Sequence, residues 1–157
     1  FYGYYMLLAQ PLAGEYETAM DIISQYWGGM LDMGATTFWE DFDLDWACKA
    51  SPIDRLPYPG ESDVHGDNGA HCYSGFRHSL CHGWAGGPTA FLSEHVLGVT
   101  PAAPGYAAAR ISPALPGLTR VEGAVPTPFG PIEVSARAVG TRIRKSVKLP
   151  GEIRELR

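Results

Sequence analysis

The hydrophobic period of this sequence changes near Pro101, so no single repeating architecture can accommodate the whole chain. Before that point Tyr16, Ala19, Met20, Ile23, Tyr26 and Trp27 fall at i, i+3, i+4, i+7, i+10 and i+11. That spacing puts one apolar stripe on a helix. After it, Ile132, Val134, Ala136 and Ala138 alternate with Glu133, Ser135 and Arg137. Ile143, Val147 and Leu149 likewise alternate with Arg142, Arg144 and Lys148. Period two belongs to strands with one face buried. Charge changes with the period. Residues 1–100 hold three Lys/Arg against 13 Asp/Glu, and residues 101–157 hold nine against four. The sequence predicts a helical domain over 1–100 and a small antiparallel β-domain over 101–157, an α+β arrangement.

Within the first part, residues 2–10 read as the end of a helix whose start lies upstream, stopped by Pro11 and Gly14. Proline removes one ladder hydrogen bond and clashes one turn back. The stripe from Tyr16 to Trp27 makes the next helix, ended by Gly28, Gly29 and Gly34. Residues 31–87 show little periodicity and are rich in Gly, Pro, Asp, His and aromatic residues, the composition of long functional loops. Gly86-Gly87-Pro88-Thr89 opens a further helix, with Pro88 in its first turn, Gly98 as its cap, and Phe91, Leu92, His95 and Val96 inward. Lys145 is a misfit, because alternation puts it on the apolar face of its strand; an edge position would accommodate it. So few helices cannot enclose a loop-lined pocket, which implies further helices upstream.

Composition excludes some function classes. The apolar share of 45% and charged share of 18% are those of a globular protein. No apolar run approaches the roughly 18 residues of a membrane span. The chain opens at Phe1 without a basic n-region or a small-residue cleavage site, so no targeting segment is expected and localisation cannot be read. Cys48, Cys72 and Cys81 make an odd count, which excludes a complete disulfide framework and favours free, partly buried thiols over a single bridge.

The chemistry lies in the loops. Glycoside hydrolysis runs through two carboxyl groups, one protonating the leaving oxygen and one activating water or attacking directly. Phe38-Trp39-Glu40 sets a carboxylate beside rings whose flat faces suit the C–H side of a sugar. By residue type alone the signal is weak, and Glu40 reads more readily as a solvated residue beside core rings. Asp41, Asp43 and Asp45 invite a calcium loop. Counting from Asp41, however, Trp46 falls where glycine is required and Pro52 where the bidentate Glu should stand, so the loop fails.

His65, His71, Cys72, His78, Cys81 and His82 raise zinc. Only His78-x-x-Cys81 has a usable ligand spacing and Cys72 lacks a comparable mate, so no metal is expected. Cys81 and His82, adjacent in sequence, seldom point at each other as a nucleophile and base would. Trp84 by itself is a core anchor or a binding ring. The basic residues Arg142, Arg144, Lys145 and Lys148 could suggest nucleic acid, but alternation makes most of them the wet face of a strand.

Taken in order, these segments resemble a family. Tyr26-Trp27-Gly28-Gly29-Met30-Leu31 is followed by Gly34-Ala35-Thr36-Thr37-Phe38-Trp39-Glu40. Then come His78-Ser79-Leu80-Cys81-His82-Gly83-Trp84-Ala85-Gly86-Gly87-Pro88-Thr89, Val96-Leu97-Gly98-Val99, and Gly123-Ala124-Val125-Pro126-Thr127-Pro128-Phe129-Gly130. The series resembles the late catalytic region of bacterial α-L-rhamnosidases, glycoside hydrolase family 78.

The resemblance implies the last helices and active-site loops of an (α/α)6 barrel over 1–100, followed by a C-terminal antiparallel β-domain. It implies inverting hydrolysis of terminal α-L-rhamnose on a glycoside or polysaccharide, without a cofactor. By the same resemblance Glu40 is the general base, and Trp39, His82 and Trp84 line the sugar site. The family's general acid sits in an acidic motif that nothing in residues 1–157 matches, and Asp63 and Asp67 read as loop or subsite residues. The chain alone is therefore expected to be inactive, its partners being a rhamnose-containing substrate and the missing N-terminal part of its own catalytic domain. The rival readings are a non-catalytic carbohydrate-binding fragment and another (α/α)6 glycosidase, such as an α-L-fucosidase or trehalase relative.

Overall fold

The computed structural model of the chain describes residues 2–45, 58 and 79–156. It divides into two compact units, Phe1–Gly87 and Pro88–Arg157. The described residues are α+β, with helices first and strands after.

In the first unit α1 spans Gly3–Ala13 and α2 spans Tyr16–Ile22. A π-helical turn, Ile23–Trp27, joins α2 to α3, Gly28–Asp32. Two expectations change here. Pro11 does not stop α1, which continues to Ala13 and is capped by Gly14 in the left-handed region at φ 81°. The Gly14 and Glu15 amides donate to Pro11 O and Gln10 O, so the last carbonyls are satisfied in the manner of a helix C-cap. A proline two residues from a helix end deletes one hydrogen bond without preventing the last turn.

Nor do Gly28 and Gly29 end the second helix. Gly29 instead admits a ring: a Cβ there would lie 3.0 Å from the tip of Phe42. Around that approach Met30, Ala35 and Trp39 form a buried cluster, with Trp27, Met33, Phe42 and Leu80 packed against it. Phe42 meets both Trp39 and Tyr26 edge-on, at centroid separations of 6.1 and 6.2 Å, the tilted geometry that aromatic quadrupoles favour.

The second unit begins with the end of α4, Gly87–Phe91, and a π-helical turn, Leu92–Val96. Phe91 and Val96 are buried as the sequence predicts, whereas Leu92, where the wider turn begins, is exposed. Gly98 follows at φ 77°, where a Cβ would lie 2.2 Å from the Ser112 carbonyl group. Any side chain there would collide with backbone, so glycine is required.

Six strands follow: β1 Val99–Pro101, β2 Ala108–Ile111, β3 Arg120–Val125, β4 Ile132–Val139, β5 Arg142–Lys148 and β6 Arg154–Leu156. They make two three-stranded sheets, β1-β2-β6 and β3-β4-β5. The second sheet is antiparallel throughout, as the alternation predicts. The first is mixed, because β6 runs parallel to β2. This corrects the expectation of a purely antiparallel domain. A parallel neighbour needs a long crossover, and the whole β3-β4-β5 sheet provides it.

Both sheets bury side chains in one core, with Val99, Ala109 and Ile111 from one and Val125, Ile132 and Val134 from the other, joined by Leu97 and Ile153. Lys145 stands on the inward face of edge strand β5. Its ammonium donates to Ile111 O at the end of β2 and lies 2.5 Å from Glu155 of β6. The misfit cation therefore links the two sheets. Among the described residues no helix is long and apolar enough to cross a membrane.

Candidate functional site

Glu40 sits at the end of the Phe38–Glu40 segment, which runs antiparallel to Ser79–His82. The Glu40 amide donates to Ser79 O at 2.9 Å, and the His82 amide donates to Phe38 O at 2.7 Å. The Ser79 amide donates to Glu40 Oε2 at 2.8 Å, so the same segment that pairs with the Glu40 backbone also holds its carboxylate. Thr37 Oγ1 adds a fourth contact by donating to Leu80 O. These bonds join segments about forty positions apart and fix both backbone and side chain at Glu40. A carboxylate held this way keeps one rotamer without help from its own flexible stem.

Beyond His82, which is extended and half-buried, the chain turns through one 3-10 turn, Gly83–Ala85. Ala85 is buried and its carbonyl accepts from Trp27 Nε1 at 2.9 Å, which ties the turn to the helical layer. Trp84, in the middle of that turn, is 69% exposed. A large aromatic ring exposed on an anchored turn offers apolar surface to solvent.

Trp39 is placed differently from its reading as a wall of the sugar site. It is 1% exposed and belongs to the core cluster beneath the loop. In this unit it presents no face outward, and its neighbour Phe38 is the partly exposed ring of the pair. Aromatic identity beside Glu40 does not distinguish a wall ring from a core ring, and only packing separates them.

Among the acidic residues, Asp43 accepts the Asp45 amide at 3.0 Å through Oδ1, a local turn bond. Cys81 is a free thiol, exposed rather than partly buried, and its amide donates to Ser79 Oγ. Cys48, Asp63, His65, Asp67, His71, Cys72 and His78 lie outside the described residues. Among the described residues no three His, Cys, Asp or Glu side chains gather where a metal ion could sit. Sequence reasoning missed Ser79 and Thr37, which hold the Glu40 segment. Their role depends on pairing at long separation, and no local pattern signals it.

In sequence and fold the chain is similar to a glycosidase. Residues 98–154 match the family described as the bacterial alpha-L-rhamnosidase C-terminal domain. Across 97% of its length the chain is similar to a solved structure, the GH78 family rhamnosidase of Bacillus sp. GL1, at 25% identity and a TM-score of 0.66. More particularly, the similarity is to the C-terminal part of a rhamnosidase, as the ordered motifs suggest. It spans 14% of the length of that solved protein. No curated protein sequence matches it.

Proposed function

We propose that this chain carries the closing part of the (α/α)6 catalytic barrel of an inverting α-L-rhamnosidase over residues 1–100 and its C-terminal domain over 101–157. In this reading Glu40 is the general base and the general acid lies upstream. The supporting observation is the clamp on Glu40: its carboxylate is fixed by the Ser79 amide, and the Ser79–His82 segment that pairs with it leads directly into the exposed Trp84 turn. A base that deprotonates water needs a fixed position relative to the sugar, because inversion places water between two carboxyls roughly 6.5–9.5 Å apart. Trp84 supplies a ring for the apolar face of the sugar, and His82 a ring nitrogen for its hydroxyls. Trp39, from below, keeps the Glu40 segment in place. Proton transfer by a positioned carboxylate contributes typically 10²–10⁴-fold.

The experiment is an assay of the full-length protein containing this chain on aryl α-L-rhamnoside and aryl α-L-fucoside, with the anomer of the first product read by NMR. Release of β-rhamnose from the rhamnoside supports the reading. Retained configuration would remove the general-base role, and turnover of the fucoside alone would favour the fucosidase alternative.

A further inference from the structure

The outward face of the β3-β4-β5 sheet carries a feature that hydrolysis at Glu40 does not use. The register pairs Arg120 with Arg137 and Arg137 with Arg144. All three point away from the core, since the buried residues of β4 are Ile132, Val134 and Ala136. Adjacent strands lie about 4.8 Å apart, so three guanidinium groups form one row across the sheet. Arg142, two residues before Arg144, extends the same face. Arg120 is paired with Glu122, whereas Arg137, Arg142 and Arg144 form no ion pair among the described residues. Like charges directly opposite each other destabilise a sheet, and an anion laid along the row would relieve that repulsion.

The next rows make the floor of a depression. Glu122, Ser135 and Ser146 align across the strands, followed by Ala124, Glu133 and Lys148. The small side chains Ala124, Ser135 and Ser146 leave an open hollow of about 550 Å³, closed on its far side by the Lys148–Glu133 pair at 2.8 Å. Planar guanidinium groups bind carboxylates bidentately, while the serine hydroxyls and the two glutamates accept hydrogen bonds from neutral hydroxyls. Those glutamates also argue against nucleic acid, whose closely spaced phosphates would meet them.

We propose that this sheet face binds a glycan bearing sparse carboxylates, the acid groups on the arginine row and neutral sugars over the serine floor. The choice of a glycan rests on the glycosidase reading above. The binding test involves no hydrolysis, so failure here leaves that reading standing, and loss of that reading leaves this measurement interpretable.

The test is affinity of the full-length protein containing this chain for sparsely carboxymethylated dextran, with plain dextran and single-stranded DNA as comparisons. The carboxymethylated dextran should bind, more weakly as salt rises from about 50 to about 200 mM, and plain dextran should not. The Arg137→Gln/Arg144→Gln variant should bind at least tenfold more weakly. Arg110→Gln/Arg154→Gln, which removes the same charge from exposed positions of the other sheet, should stay within twofold. The Arg137→Lys/Arg144→Lys variant, which keeps charge but not the planar fork, should fall between them. Equal losses from both glutamine pairs, equal binding of plain dextran, or DNA binding as tight as that of the carboxymethylated dextran would overturn the proposal.

Discussion

The two units hold their chemistry in place by different means. In the sheets, position follows from alternation and register, and a residue's face is set by parity alone. At Glu40, position follows from a few hydrogen bonds between remote segments laid over an aromatic cluster. A sheet tolerates loss of any one surface side chain, whereas a loop site depends on what lies beneath it. The first unit should therefore be sensitive at Trp39 and indifferent at Trp84, and the second sensitive where its two sheets are tied.

The largest effect should come from Trp39→Ala. Removing a fully buried indole costs about 3–5 kcal/mol, read as a lower midpoint for unfolding of the first unit. A loss under about 1 kcal/mol would mean that the loop does not rest on this ring. Next is Lys145→Met, which leaves Ile111 O and Glu155 without their charged partner. Hydrogen bonds to charged groups contribute about 1.5–3 kcal/mol, so urea denaturation should show a loss of that order. Lys148→Met, which breaks only a pair on the exposed face, should cost about 0–1 kcal/mol. Equal losses from the two lysines would remove the distinction between a sheet link and a surface pair.

Trp84→Ala should leave stability within about 0.5 kcal/mol, as exposed substitutions usually do, while raising KM of the full-length enzyme for its glycoside. Loss of stability without loss of affinity would make Trp84 an anchor. The smallest effect concerns Tyr106. Burial, and secondarily the Glu94 carboxylate, raise its phenol above the ordinary value of 10.0. Because the folded state holds the proton more tightly, this group leaves stability unchanged below pH 10. Stability should then fall as pH rises toward the raised folded value. A thermal melt series should show that alkaline decline weakened in Tyr106→Phe, and an identical decline in both proteins would exclude Tyr106 as its source.

The same contrast explains what was legible in the sequence. Strand β4 could be read because one buried face imposes period two, and β5 alternates in sequence although only Val147 of it is partly buried. Strands β1, β2 and β6, at three or four residues, are too short to show a period. The parallel placement of β6 depends on the crossover, not on its own residues. Lys145 was visible as a misfit, but the carbonyl and carboxylate that satisfy it come from other strands. The arginine row needs the register, because Arg120, Arg137 and Arg144 are unremarkable until three strands are aligned. In the first unit Pro11 misled because a proline's cost depends on how near the helix end lies. Ordered motifs single out Glu40, His82 and Trp84 as candidates, but the Ser79 clamp and the burial of Trp39 depend on tertiary pairing.

The most direct test of the account is turnover of aryl α-L-rhamnoside by the full-length protein and its Glu40→Gln variant, with and without azide. The variant should lose about 10²–10⁴-fold in kcat with KM little changed. Azide, a nucleophile that needs no base, should restore product as the β-rhamnosyl azide. Near-normal turnover by the variant would contradict the assignment of Glu40 as the base.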